Sequence, residues 1–146
     1  MPEQKSTEDV QATNIALYRR FADGVGAGRL DVIDEMLAAD IQLPTIADWA
    51  EDPTRAGMKQ ANQGLRVSFP DLHGTIEQVF ASGDWVAALL TWTGTNTGEF
   101  MGQPPTGKTF TITEIEIVRY QDGQIVDLRQ VADLASMMAQ LADGQG

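Results

Sequence analysis

Apolar and aromatic positions Ile15, Leu17, Tyr18, Phe21, Ala22 and Val25 recur at helical spacing from Val10 onward. This spacing predicts a first helix, with Ser6 or Thr7 as its cap and Gly24, Gly26 and Gly28 at its close. Leu30, Ile33, Met36 and Leu37 share one face of a second, short helix with Asp31 in its first turn. Asp40 to Leu43 reads as extended, and the stretch through Trp49 has no clear period. Asp52-Pro53 then resembles an N-cap followed by a first-turn proline, so a third helix is predicted from Pro53 to Phe69, with Met58, Ala61, Leu65 and Phe69 as its apolar stripe. Pro70 stops it.

Beyond Pro70 the period turns extended, and Gly, Asp and Pro punctuate runs rich in β-branched and aromatic residues. Four strands are predicted: Gly74 to Ala81, Asp84 to Thr97, Thr106 to Tyr120 and Gln124 to Val131. Gly83-Asp84 and Asp122-Gly123 suit tight hairpin turns. The third connection, Gly98 to Pro105, carries Phe100 and Met101 on an excursion placed where a lid over a cavity belongs. Asp133 is the expected cap of a last helix bearing Leu134, Met137, Met138 and Leu141. The fold class is therefore α+β, helices packed on an antiparallel sheet, in one domain over residues 1–146 with loose ends at 1–8 and 143–146.

Composition removes whole classes of function. The chain has no cysteine, hence no disulfide, thiolate metal site or cysteine nucleophile. A net charge of −11 repels phosphate backbones and anionic lipid, so neither nucleic acid nor a membrane is an expected partner. The polar, acidic N-terminal stretch is unlike a signal peptide, and a cytoplasmic location is the simplest expectation. A lone histidine, His73, makes a metal site a poor expectation, and no cofactor is expected; a structural hydrogen-bonding role suits His73 better.

Phe69-Pro70-Asp71-Leu72-His73, Gly83-Asp84-Trp85-Val86-Ala87, Gly94-Thr95-Asn96-Thr97-Gly98 through Pro104-Pro105-Thr106-Gly107-Lys108, and Asp122-Gly123-Gln124-Ile125-Val126 resemble the SnoaL-like polyketide cyclase family in order and spacing. The resemblance implies the nuclear transport factor 2-like fold, a cone in which a curved sheet and helices enclose an apolar pocket, with a homodimer or homotetramer as the usual assembly. It also implies an intramolecular aldol condensation on a polycyclic aromatic ketone or a related small hydrophobic molecule. In the family's cyclases a carboxylate on the last strand moves the proton; by spacing that position is Gln130 here, an amide that cannot exchange a proton. Relatives that hydrolyse epoxides need an Arg and an Asp on an earlier strand, and the run from Ala87 to Thr93 has neither.

Glu116 stands where many relatives carry a pocket-facing histidine, so Glu116 and Gln130 are the candidate catalytic residues. Tyr18, Trp49, Trp92, Phe100, Met101 and Glu114 are candidate substrate contacts. Turn geometry leaves two registers open. A two-residue Asp122-Gly123 turn sets Glu116 opposite Arg129 as an outer charge pair, whereas a three-residue turn with a bulge at Gly123 sets Glu114 opposite Gln130 and turns both carboxylates to the pocket. Two functions remain open with them: a cofactor-independent cyclase-type enzyme, with a hydroxylase-type relative as its variant, or a non-catalytic small-molecule-binding or assembly domain.

Overall fold

A computed structural model describes residues 6–46 and 50–142. Trp49, residues 1–5 of the loose end expected at 1–8, and residues 143–146 lie outside the described residues, whereas Ser6 caps the first helix and Thr7 and Glu8 belong to it. The elements run α1 (Thr7–Gly26), α2 (Asp31–Met36), α3 (Arg55–Ser68), β1 (His73–Ser82), β2 (Trp85–Thr95), β3 (Thr109–Gln121), β4 (Gln124–Ala132) and α4 (Leu134–Leu141). Ser6 caps α1 by accepting the Asp9 amide, and Asp133 caps α4 by accepting that of Ser136. At α3 the expected cap is displaced: Thr54, not Asp52, accepts the Gly57 amide, and the helix starts two residues after Pro53.

The strands form an antiparallel meander, β1-β2-β3-β4. Its inner face carries Val86, Ala88 and Leu90 of β2, Glu116, Val118 and Tyr120 of β3, and Ile125, Leu128 and Gln130 of β4, all buried. α1 and α2 cover one end of that face with Tyr18, Phe21, Val25, Ile33 and Met36. A second cluster of Phe69, Leu72, Phe110, Ile112, Met137 and Leu141 closes the other end. α1 approaches β1 where two glycines meet, since a Cβ on Gly26 would lie 2.4 Å from the Gly74 carbonyl oxygen.

The β3–β4 register is neither of the two anticipated. Asp122-Gly123 is a two-residue turn, both residues at positive φ (52° and 78°), with Gln121 paired to Gln124. A bulge then intervenes: Tyr120 pairs with Ile125 but Arg119 with Asp127, leaving Val126 extra. The added residue reverses the phase of β4, so that Gln130 lies directly opposite Glu116 and Ile117 opposite Arg129. The outer Glu116–Arg129 pair does not form. Arg129 Nε instead bonds Asp127 at 3.2 Å on the outer face, where the Arg119 guanidinium also sits 5.9 Å from the Trp85 ring.

Candidate active site

Between the inner face of the sheet, α3, α4 and the 98–105 excursion lies a cavity of about 680 Å³. Phe21, Met58, Leu65, Leu90, Ile112 and Met137 supply much of its apolar wall. The excursion is tied down at both ends by buried Asn96. Its Oδ1 accepts the Thr106 amide at 2.9 Å, its Nδ2 donates to Gly98 O at 2.8 Å, and its backbone pairs with Gly107 and Lys108. Phe100 packs edge-on against Phe69 with centroids 5.0 Å apart, and Met101, at φ 52° and largely exposed, lines the mouth.

Glu114 and Glu116 project into this cavity from β3, two residues apart and therefore on one face of the strand. Glu116 is only 4 % exposed. Its Oε1 accepts a hydrogen bond of 2.8 Å from the Tyr18 hydroxyl, delivered from α1. Glu114 keeps some accessible surface where it lines the cavity, and its Oε1 accepts a longer bond of 3.3 Å from Trp92 Nε1. Burial raises both carboxyls well above the ordinary carboxylate range; the charge of Glu116 raises Glu114 further, while the Tyr18 hydroxyl pulls Glu116 partly back. Burial, and then the Glu116 charge, drives the Tyr18 hydroxyl far above its usual value, so it stays a proton donor in this bond.

The structure thus gathers Glu116, Gln130, Glu114, Trp92, Phe100 and Met101 around one cavity. Among the described candidates, Tyr18 is the exception. It is fully buried behind Glu116, outside the cavity lining, with its hydroxyl on the Glu116 carboxylate. His73 opens β1, exposed and paired with Thr93 in the ladder, and among the described residues its ring takes no hydrogen bond. The bonding in that motif belongs to Asp71, whose carboxylate accepts the Thr95 amide at 2.7 Å and hydroxyl at 2.8 Å. Asn62, buried and in the cavity wall with its amide on Met58 O, is a polar member that sequence reasoning passed over. Its signal was a polar residue one turn after Met58 and one turn before Leu65, inside an apolar stripe.

The model of the SnoaL-like polyketide cyclase family matches residues 15–141, and the chain belongs to that family. Nogalonic acid methyl ester cyclase of Streptomyces nogalater is 29% identical over 118 residues, covering 80% of this chain and 87% of the relative. Aklanonic acid methyl ester cyclase AcmA of Streptomyces galilaeus is 35% identical over 133 residues, covering 88% and 90%. Among solved structures, wild-type IdmH of Streptomyces antibioticus superposes with a TM-score of 0.76 at 33% identity, covering 88% of this chain and 97% of that one.

Proposed function

We propose that this protein is a cyclase of the SnoaL type, closing a ring by an intramolecular aldol condensation with Glu116 as the group that takes and returns the proton. One observation carries the assignment of that role: a carboxylate buried in the wall of an apolar cavity, directly across the strand pair from Gln130, the position that the resemblance assigns to the carboxylate of the family's cyclases. Burial raises its basicity toward that needed to remove a proton from a carbon activated by neighbouring carbonyls at neutral pH. Gln130, beside it, has an amide to orient a carbonyl oxygen and to donate to an enolate. The binding-domain reading required Glu116 outside and paired with Arg129, and the bulge at Val126 removes that arrangement.

The substrate follows from the wall. Its volume lies in the range of small-molecule sites. Among the described lining residues none is Lys, Arg or His, whereas Glu51, Glu114 and Glu116 are acids. A free carboxylate would be repelled and left without a partner, so the ligand is an uncharged polycyclic keto ester, in keeping with the methyl esters named for the relatives. Apolar side chains exposed on the outer sheet face, Phe80, Ile115, Ile117 and Val131, support assembly as a homodimer. In that case Ile117→Glu yields a folded monomer by analytical ultracentrifugation, and a wild-type protein that sediments as a monomer contradicts the assembly.

The test is to incubate the protein with aklanonic acid methyl ester or nogalonic acid methyl ester and follow conversion by chromatography and mass spectrometry. Ring closure by aldol addition produces an isomer, with no change of mass. No conversion of either ester, or conversion with a mass change before any dehydration, contradicts the reading.

A further inference from the structure

α3 walls the cavity opposite the inner face of the sheet. Met58, Ala61 and Leu65 give it an apolar stripe there, and Asn62 interrupts that stripe. Asparagine is a poor helix former, and a leucine at this place would bury apolar surface instead. The Asn62 side chain is 5 % exposed, and the surface it keeps is where it lines the cavity. Its Nδ2 donates to Met58 O at 3.0 Å. That carbonyl already accepts the Asn62 backbone N–H in the helix ladder, so the side-chain bond meets no outstanding need of the backbone; it fixes which way the amide points. A carbonyl only accepts, so the atom facing it is the nitrogen, and Oδ1 lies on the other side of the amide. Among the described residues nothing donates to Oδ1. Ser68, further along the same helix and also in the cavity wall, differs: it gives its hydroxyl proton to Glu99 O at 2.5 Å. Ala61 and Gly64 keep the helix surface beside the amide low, and a Cβ on Gly64 would meet nothing within 4 Å. Asn62 thus presents an oriented, open acceptor in an apolar wall.

Such an acceptor is harmless while water reaches it. A ligand that fills the cavity expels that water, and it then supplies a donor or leaves Oδ1 bare. The keto and ester groups of the proposed ligand only accept, so neither serves. A hydroxyl does. We infer that Asn62 is a specificity-determining residue whose Oδ1 accepts a hydrogen bond from a hydroxyl of the substrate. The substrate is then a hydroxylated polycycle, lying with its hydroxyl-bearing ring against α3 and its reacting carbonyls against the face of the sheet that carries Glu114 and Glu116. This inference rests on the cyclase reading for the kind of ligand and on Asn62 for the hydroxyl. Asn62 exchanges no proton with the ligand; it selects and orients.

Uncharged probes that differ at one position separate the donor from bulk: β-hydroxyanthraquinone, its methyl ether and unsubstituted anthraquinone. They are titrated against the protein by quenching of tryptophan fluorescence in mildly acidic buffer, where the phenol is neutral. Wild type is expected to bind the hydroxy probe on the order of 10-fold or more tightly than the other two. Asn62→Leu is expected to bind all of them within about threefold of one another, and to melt at or above the wild-type temperature because an open acceptor gives way to apolar surface. A crystal structure of wild type with β-hydroxyanthraquinone needs no substitution, and is expected to place the hydroxyl oxygen about 3 Å from Asn62 Oδ1. A preference for the hydroxy probe that survives Asn62→Leu, a wild type indifferent to the hydroxyl, a variant that melts well below wild type, or a bound hydroxyl held by another group each overturns the subsite and leaves the cyclase reading standing. Selective binding of the hydroxy probe by a wild-type protein that converts neither methyl ester does the reverse: it supports the subsite and overturns the cyclase reading.

Discussion

At the scale of single residues, the protein keeps two acidic side chains where apolar ones would fold better. In the unfolded chain both glutamates titrate near ~4.3. In the fold burial raises both, Glu114 to about 8, so across the interval between those values the folded state binds protons that the unfolded state releases. Stability from this source is full below the unfolded value and is lost as pH rises through the folded one. The melting temperature is therefore expected to fall, by on the order of 5 °C, between pH 6 and pH 8.5. Glu114→Gln should flatten that fall and raise the melting temperature at pH 8.5, as scanning calorimetry would show; a wild-type profile that is level or rises over this range contradicts the burial cost. That Glu116 was worth attention was legible in the sequence, but its direction was not. Ile125-Val126 followed by Leu128 breaks strand alternation, and this was the visible trace of the bulge that turns Gln130 inward. The Tyr18 hydrogen bond joins residues 98 positions apart and leaves no local pattern to read.

At the scale of elements, periodicity was informative wherever one face of a helix or strand is buried. The stripe Tyr18, Phe21, Ala22, Val25 is the buried face of α1, and Asp133 caps α4 as its chemistry suggests. The start of α3 was misplaced because Asp52 and Thr54 are both competent caps, and the choice is made by packing: Gly57 lies so close to Asp52 that a Cβ there would come 2.0 Å from its carbonyl oxygen. The seating of α1 on β1 depends on a similar contact. Gly26→Ala would drive a methyl group into the Gly74 carbonyl, and neither backbone can yield alone. A loss of about 2 kcal/mol or more is expected in urea denaturation. Because Tyr18 sits two turns earlier on the same helix, the Tyr18–Glu116 bond should be strained as well. A variant as stable as wild type would show that α1 can slide on the sheet.

At the scale of the whole molecule, the meander and its helices enclose a cavity whose wall, among the described residues, is apolar except for Glu51, Asn62, Ser68, Glu114, Glu116 and Gln130. The α+β class and the antiparallel sheet of four strands followed from punctuation and the change of period at Pro70, whereas the meander order is seen only in the structure. The cavity did not follow, because its wall draws on α1, α3, α4, three strands and the excursion, residues whose proximity only the fold creates. Among the described residues no helix is long and apolar enough to cross a membrane. The central claim is that Glu116 moves the proton in this cavity. It is tested most directly by comparing wild type with Glu116→Gln on aklanonic acid methyl ester, with affinity for the ester measured alongside by quenching of tryptophan fluorescence. The account predicts that the variant binds the ester with affinity close to wild type while closure falls by roughly 100- to 10,000-fold. A variant that closes the ring at the wild-type rate would contradict it.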